Sequence, residues 1–164
     1  MWIDLPNSLI VLLDFLAWFL FHMTISVFVL KMPDIYYKHK ANCFRSFKWE
    51  DNGQFWNNYF HVRKWKDNLP DSSSIFKTAY NKKKMKRTDS ESLEKFIIET
   101  QRAELTHWLS MLPAPLLFIW NPAWAGWIMV VYAFFANFPF IIIQRYNRPR
   151  LLDLSETKRQ RSKI

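Results

Sequence analysis

All 23 lysines and arginines of this 164-residue chain fall into two blocks, 16 within residues 31–102 and seven within residues 145–163. The intervening stretches, residues 9–30 and 105–144, are apolar and carry no positive side chain. A water-soluble domain spreads its charge over its whole surface. Partitioning of this kind suits a chain whose apolar stretches cross a bilayer while both basic blocks stay on the cytoplasmic side. The expectation is an all-α integral membrane protein with about three membrane segments, one N-terminal span plus a C-terminal helical hairpin, and a cytoplasmic interfacial helical layer.

The spans can be placed by length and punctuation. Residues 9–30 would extend roughly 33 Å as a helix, enough for the hydrocarbon core. Pro6-Asn7-Ser8 signals the start and Lys31-Met32-Pro33 the stop, giving a first span over 7–31. The second run, 105–120, is short and interrupted by Pro113 and Pro115, so it is a kinked span or half of a re-entrant hairpin. Trp120-Asn121-Pro122 reads as a turn with Pro122 at the first helical position, opening a third span over 122–144. Trp120, Trp124 and Trp127 suit an interfacial belt. The chain then reads as one membrane domain, with an interfacial region over 32–104 and a basic cytoplasmic tail over 145–164. The N-terminus is expected outside and the C-terminus in the cytoplasm.

The net charge of +9 raises nucleic acid as a partner. Basic segments beside apolar spans instead meet anionic lipid or a phosphate-bearing substrate, so membrane lipids are the expected partners and nucleic acid is not. Cys43 is the single cysteine, which excludes an intrachain disulfide and any cysteine-based metal site; no metal is expected. The region 32–104 is dense in aromatics, from Phe44 through Trp65, and suits short amphipathic helices in the headgroup layer. Residues 72–87 read as a solvated or lipid-facing loop. Thr88-x-x-Glu91 matches a capping box that opens the helix leading into the second run.

Two polar constellations flank the hairpin. In the first, Glu99 and Arg102 are neighbours at i,i+3, as are Glu104 and His107. A carboxylate against an imidazole fixes its tautomer and makes the free nitrogen a better base. The bland alternative is a solvated helix start. The second holds Gln144, Arg145, Asn147, Arg148 and Arg150, with Asn137 two turns below Gln144 on the same face. Arg and Tyr at a membrane boundary act as anchors, but a polar residue inside the hydrocarbon layer faces the protein interior. Arg148 precedes Pro149, which disfavours helical geometry there and lets the side chain turn back under the hairpin. In the first span, Asp14 is expected to snorkel to the outer interface, and His22 to face the bundle core. A third candidate segment contains Lys64, Trp65, Lys66 and Asp71, with the lysines suited to phosphate contacts.

Phe55-Trp56, Val62-Arg63-Lys64-Trp65-Lys66 with Leu69-Pro70-Asp71, Ile98-Glu99-Thr100-x-Arg102-Ala103-Glu104-Leu105-x-His107-Trp108, Ala136-Asn137-x-Pro139 and residues 144–151 together resemble the glycosyl-4,4'-diaponeurosporenoate acyltransferases. The resemblance runs from about Pro33 to Leu151 and is most specific around the hairpin. It implies esterification of a sugar hydroxyl on a lipid or carotenoid glycoside with a fatty acyl chain. It brings no residue-level roles with it.

The roles follow from the residue types. His107 takes the proton of the sugar hydroxyl, Glu104 or Glu99 orients it, and Arg102 belongs to the same cluster. Asn137, Arg145 or Arg148 stabilises the oxyanion. Lys64, Trp65, Lys66, Asp71, Gln144, Asn147 and Arg150 bind substrate, the basic ones holding the phosphates of an acyl-CoA or of an acyl carrier protein. That donor is a co-substrate; no further cofactor is needed. Other pathway enzymes are possible partners. The competing readings are a non-catalytic membrane scaffold that binds anionic lipid, and another intramembrane transferase.

Overall fold

The computed structural model describes residues 3, 5–69 and 90–161, and among these every regular element is helical. The helices are α1 (Asn7–Lys31), α2 (Asp34–His39), α3 (Gln54–Phe60), α4 (Val62–Trp65), α5 (Ser90–Met111) and α6 (Ala123–Arg161). Short 3₁₀ segments cover Ala41–Phe44, Lys48–Gly53, Lys66–Asn68 and Ala114–Ile119. The expected loop over 72–87, the Thr88 end of the capping box, Pro70 and Asp71 lie outside the described residues. The chain divides into two compact units, one of Met1–Tyr36 with Arg102–Ile141 and the other of Tyr37–Gln101 with Ile142–Ile164.

Among the described residues two helices, α1 and α6, are long and apolar enough to cross a membrane, against an expectation of about three spans. The reason lies in the second apolar run. Its helix starts back at Ser90 and carries Glu91, Glu94, Lys95, Glu99, Arg102 and Glu104, so only its last turns are apolar. Pro113 then sits at the N-cap of the 3₁₀ segment Ala114–Ile119, and the chain turns at Asn121 into α6. Prolines cannot supply the i→i−4 bonds that would carry an α-helix through.

In the first unit this broken segment runs along α1. Arg102 donates to the carbonyls of Leu30 (3.3 Å) and Met32 (3.5 Å) and to the Asp34 carboxylate (2.7 Å). A guanidinium here satisfies carbonyls that the end of α1 leaves open and complements the negative end of its dipole. At the other extreme, Asp14 Oδ1 accepts from Trp120 Nε1 (2.8 Å) and Asn121 Nδ2 (2.6 Å). Asp14 is therefore buried at 7% exposure and does not snorkel; two donors from the turn replace the water it would otherwise seek. Asp14 and Leu30 lie roughly 24 Å apart along α1. The last turns of α5 and the 3₁₀ segment together cover about that distance. Trp18 fastens α1 to α6, donating to Met129 Sδ (3.5 Å) and meeting the Tyr132 ring edge-on.

The 39 residues of α6 extend far past residue 144 and pass through both Pro139 and Pro149 without ending. The expected departure from helix at Arg148 does not occur. Residues 145–161 thus continue a helix and are no separate tail. The lost bond at Pro149 exposes the Arg145 carbonyl, and the second unit covers it. Gly53, at φ +84, lies so close that a Cβ would stand 3.2 Å from that oxygen and 3.1 Å from the Tyr146 oxygen.

Gly126 makes the corresponding close approach in the first unit. A Cβ there would stand 2.5 Å from the Phe118 ring, so the 3₁₀ segment can seat on the first turns of α6 only because this position is bare. Gly126→Ala is expected to cost about 1–3 kcal/mol through overpacking. Combining it with Phe118→Leu should return part of that loss. Thermal unfolding of the purified variants measures both, and a cost unaffected by the second substitution would place the strain elsewhere.

Candidate active site

In the first unit, α5 and α6 bring His107 and Asn137 together. His107 Nδ1 lies 2.9 Å from Asn137 Oδ1. The amide can face only one way, because its Nδ2 donates to the Ala133 carbonyl at 2.9 Å, one turn back on α6. The oxygen therefore points at the imidazole, so Nδ1 must carry the proton and Nε2 keeps its lone pair. Nε2 takes no hydrogen bond among the described residues. Phe140, one turn on from Asn137, stacks on the ring at 4.7 Å between centroids and 10° between planes. One edge and one face of the imidazole are thus held, and its basic nitrogen is left for a reactant.

The orienting partner differs from the carboxylate expected. Glu104 is buried at 2% exposure and accepts from Trp108 Nε1 at 3.4 Å, one turn along its own helix. An amide between the Ala133 carbonyl and the imidazole fixes the same tautomer without placing a second charge in an apolar setting, where an ion is expensive. Arg102 caps α1 as described, and His22 stacks obliquely on Trp18 at 5.5 Å.

Glu99, Arg145 and Arg148 belong to the second unit. Sequence reasoning placed the two arginines at an oxyanion; the structure places their donors on protein acceptors. Arg145 Nε and Nη2 reach the two oxygens of Glu50 at 2.5 and 2.8 Å, a bidentate pair. The same carboxylate accepts from Trp56 Nε1 (2.8 Å) and the Phe47 amide (2.6 Å). Arg148 donates to Thr100 Oγ1 (2.9 Å), the Thr100 carbonyl (2.9 Å) and the Phe44 carbonyl (2.7 Å). Both guanidiniums also lie over rings, those of Phe47 and Phe44. The planar fork matters here, but for holding the segment 44–56 and α5 to α6. Glu99 is half-buried on α5.

Among the expected substrate-binding residues, Trp65 donates to the Phe60 carbonyl at 2.7 Å and so closes its own turn. Lys64 is exposed, while Gln144, Asn147 and Arg150 are half-buried on α6. Lys66 and Arg150 both approach the Tyr146 ring. Asp71 lies outside the described residues.

Sequence reasoning missed Glu50, the fully buried centre of the second unit. A signal existed: it is an acid among Arg45, Lys48 and the aromatics, and Asp51-Asn52-Gly53 behind it is turn chemistry. All three turn residues have positive φ, which bends the chain so that Glu50 folds back on the Phe47 amide.

Burial alone would push the Glu50 carboxyl up, but the Arg145 bonds and charge, with the Phe47 and Trp56 donors, hold it below the ordinary carboxylate value. The stability this contributes is present above the ordinary carboxylate range and is lost as pH falls through the lowered value. Glu50→Gln removes the charge against which the Arg145 guanidinium is buried, and about 3–5 kcal/mol is the expected loss at neutral pH. Thermal unfolding at neutral and acid pH should show wild type and variant converging as pH falls. A constant gap would mean the pair is not what stabilises this unit.

A family profile described as glycosyl-4,4'-diaponeurosporenoate acyltransferase matches residues 40–157. Proteins of that name from Staphylococcus aureus strains RF122 / ET3-1 and USA300 are each 40% identical over 144 residues, covering 88% of this chain and 87% of the relative. The one from strain Newman is 41% identical over 137 residues, 84% of this chain and 82% of its own. No solved structure matches. Coverage of this extent shows that the chain is an acyltransferase and belongs to the glycosyl-4,4'-diaponeurosporenoate acyltransferase family.

Proposed function

We propose that the chain esterifies a sugar hydroxyl of a carotenoid glycoside with a fatty acyl group, drawing both substrates from a bilayer and using His107 as the base. The observation that carries the substrate class is the near full-length similarity to proteins named for a glycosyl-diaponeurosporenoate. The observation that supports the base is the Asn137-fixed tautomer with its free Nε2.

In the reaction the hydroxyl proton passes to Nε2 as the hydroxyl oxygen bonds to the carbonyl carbon of an acyl thioester. The carbonyl pair moves onto oxygen, then returns as the C–S bond breaks. The thiolate leaves with the proton from the imidazolium, giving an ester and a free thiol. The donor is an acyl-CoA or an acyl carrier protein, and no acyl-enzyme is formed. Asn137 holds the imidazolium by accepting from Nδ1–H throughout, which makes it a positioning residue in place of an oxyanion donor.

His107→Ala should lower transfer by about a hundred- to ten-thousand-fold while the protein stays folded. Asn137→Ala should lose less, with its defect in kcat rather than KM. The assay is acyl transfer by purified protein to a carotenoid glycoside, read by mass as the gain of one acyl chain. Near-normal turnover by His107→Ala would remove the imidazole from the mechanism, and absence of any acylated product would remove the acceptor class.

The outward faces of α1 and α6 support the membrane setting, since Phe15, Phe19, Trp124 and Phe135 there are 60–79% exposed. In this reading α1 and α6 span, and the α5 end with its 3₁₀ continuation forms a broken third crossing. The N-terminus lies outside, and both basic blocks lie at the cytoplasmic face. In a Cys43→Ser background, an impermeant thiol reagent applied to intact cells should modify Trp124→Cys and spare Ser74→Cys. Labelling of Ser74→Cys from outside would invert this topology.

A further inference from the structure

Tyr146 carries two cations on one buried ring in the second unit. The Arg150 guanidinium carbon stands 3.7 Å from the ring centroid and the Lys66 ammonium 5.9 Å from it. Arg150 reaches the ring from one turn along α6, and Lys66 from the 3₁₀ segment Lys66–Asn68. The two charges therefore sit within about 10 Å, roughly a Debye length at moderate ionic strength, and repel.

The protein does little to offset that repulsion. Arg150 makes no ion pair among the described residues, and its hydrogen bond runs from Nη1 to the Tyr146 carbonyl. The carboxylate beside Lys66 is Asp67, at 3.7 Å and 85% exposed, where solvent screens it. The contrast with the same helix is sharp: Arg145 and Arg148 spend their donors on Glu50, Thr100 and backbone carbonyls. Gly53 completes the seat. A side chain there would stand 3.2 Å from Arg150 Nη1, so this bare, left-handed residue gives the guanidinium its place.

We propose that Lys66 and Arg150, seated on Tyr146, bind a phosphate group, and that in the acyltransferase reading above, on which this assignment to a substrate rests, it is a phosphate of the acyl donor. A guanidinium seated over a ring with one nitrogen on a carbonyl has further N–H groups to offer an anion, and a lysine adds a mobile point charge to the same anion. Without the anion the two cations oppose each other; with it, each gains a partner. Tyr146 at 6% exposure is a rigid floor for both.

The test uses the full-length protein in zwitterionic nanodiscs and compares a long-chain acyl-CoA with the matching acyl-pantetheine, which lacks the nucleotide phosphates. Lys66→Gln with Arg150→Gln should cut the preference for the CoA thioester, in kcat/KM, by about tenfold. Arg150→Lys, which keeps the charge, should retain most of it. Calorimetric binding of the adenosine bisphosphate portion of coenzyme A should weaken in parallel. That measurement needs no turnover, so it stands even if the transfer reaction is assigned wrongly. If nucleotide binding is unchanged but the double variant loses thermal stabilisation by phosphatidylglycerol over phosphatidylcholine, the site holds and the phosphate is a lipid headgroup. Unchanged donor preference, unchanged nucleotide binding and an unchanged response to phosphatidylglycerol would together overturn it.

Discussion

The second unit depends on one carboxylate. Glu50 is fully buried in a block of sequence rich in basic and aromatic residues, and four hydrogen bonds converge on its two oxygens. An ion pair taken out of water is not in itself stabilising, since desolvation of both charges costs several kcal/mol each. What it supplies is a fixed geometry: only one arrangement of Phe47, Trp56 and Arg145 satisfies every lone pair. The segment 44–56 has only short helices, too few residues per element to be held by helix propensity. Its placement on α6 comes from side chains that reach across, and Gly53 lets the backbones approach.

The first unit solves a different problem. Its helices expose large apolar side chains, and the charged and amide groups buried among them find partners within the protein. Asp14 takes two donors from the turn, Arg102 takes two carbonyls and a carboxylate from the end of α1, and Asn137 takes one bond with each end of its amide. These clasps make the Pro-broken segment 102–121 follow α1 without being a continuous helix. They also leave Nε2 of His107 as a basic atom the fold does not consume.

Much of this was legible in the chain. The two apolar runs that became α1 and the first part of α6 follow from charge partition and length, and the turn at Asn121-Pro122 from its residues. His107, Asn137, Arg145 and Arg148 stood out by type and spacing. Their partners did not, because helical spacing reports neighbours on one element whereas each of these side chains pairs across elements. The i,i+3 pairing of Glu104 with His107 looked sufficient until α6 offered an amide. Pro149 misled for a related reason: a local preference against helix is worth a few kcal/mol, and the bonds made by Arg145, Arg148 and Tyr146 around it outweigh that. Glu50 escaped notice because an acid in a charged segment reads as a surface charge unless its partner, 95 residues away, is known.

The chemistry available to the first unit starts from an imidazole whose Nδ1 is held and whose Nε2 keeps its lone pair. Asn137 offers orientation but no nucleophile, and Phe140 offers only a face. Cys43 belongs to the other unit and is exposed. A base of fixed tautomer suits a reaction in which the substrate brings its own nucleophile, as a sugar hydroxyl does, and in which the electrophile arrives already activated, as a thioester does. The protein then has to supply a proton acceptor of fixed tautomer and exclude water, which would otherwise compete with the sugar for the acyl group. The Asn137-held imidazole is suited to the first of these, and the unit's apolar side chains to the second.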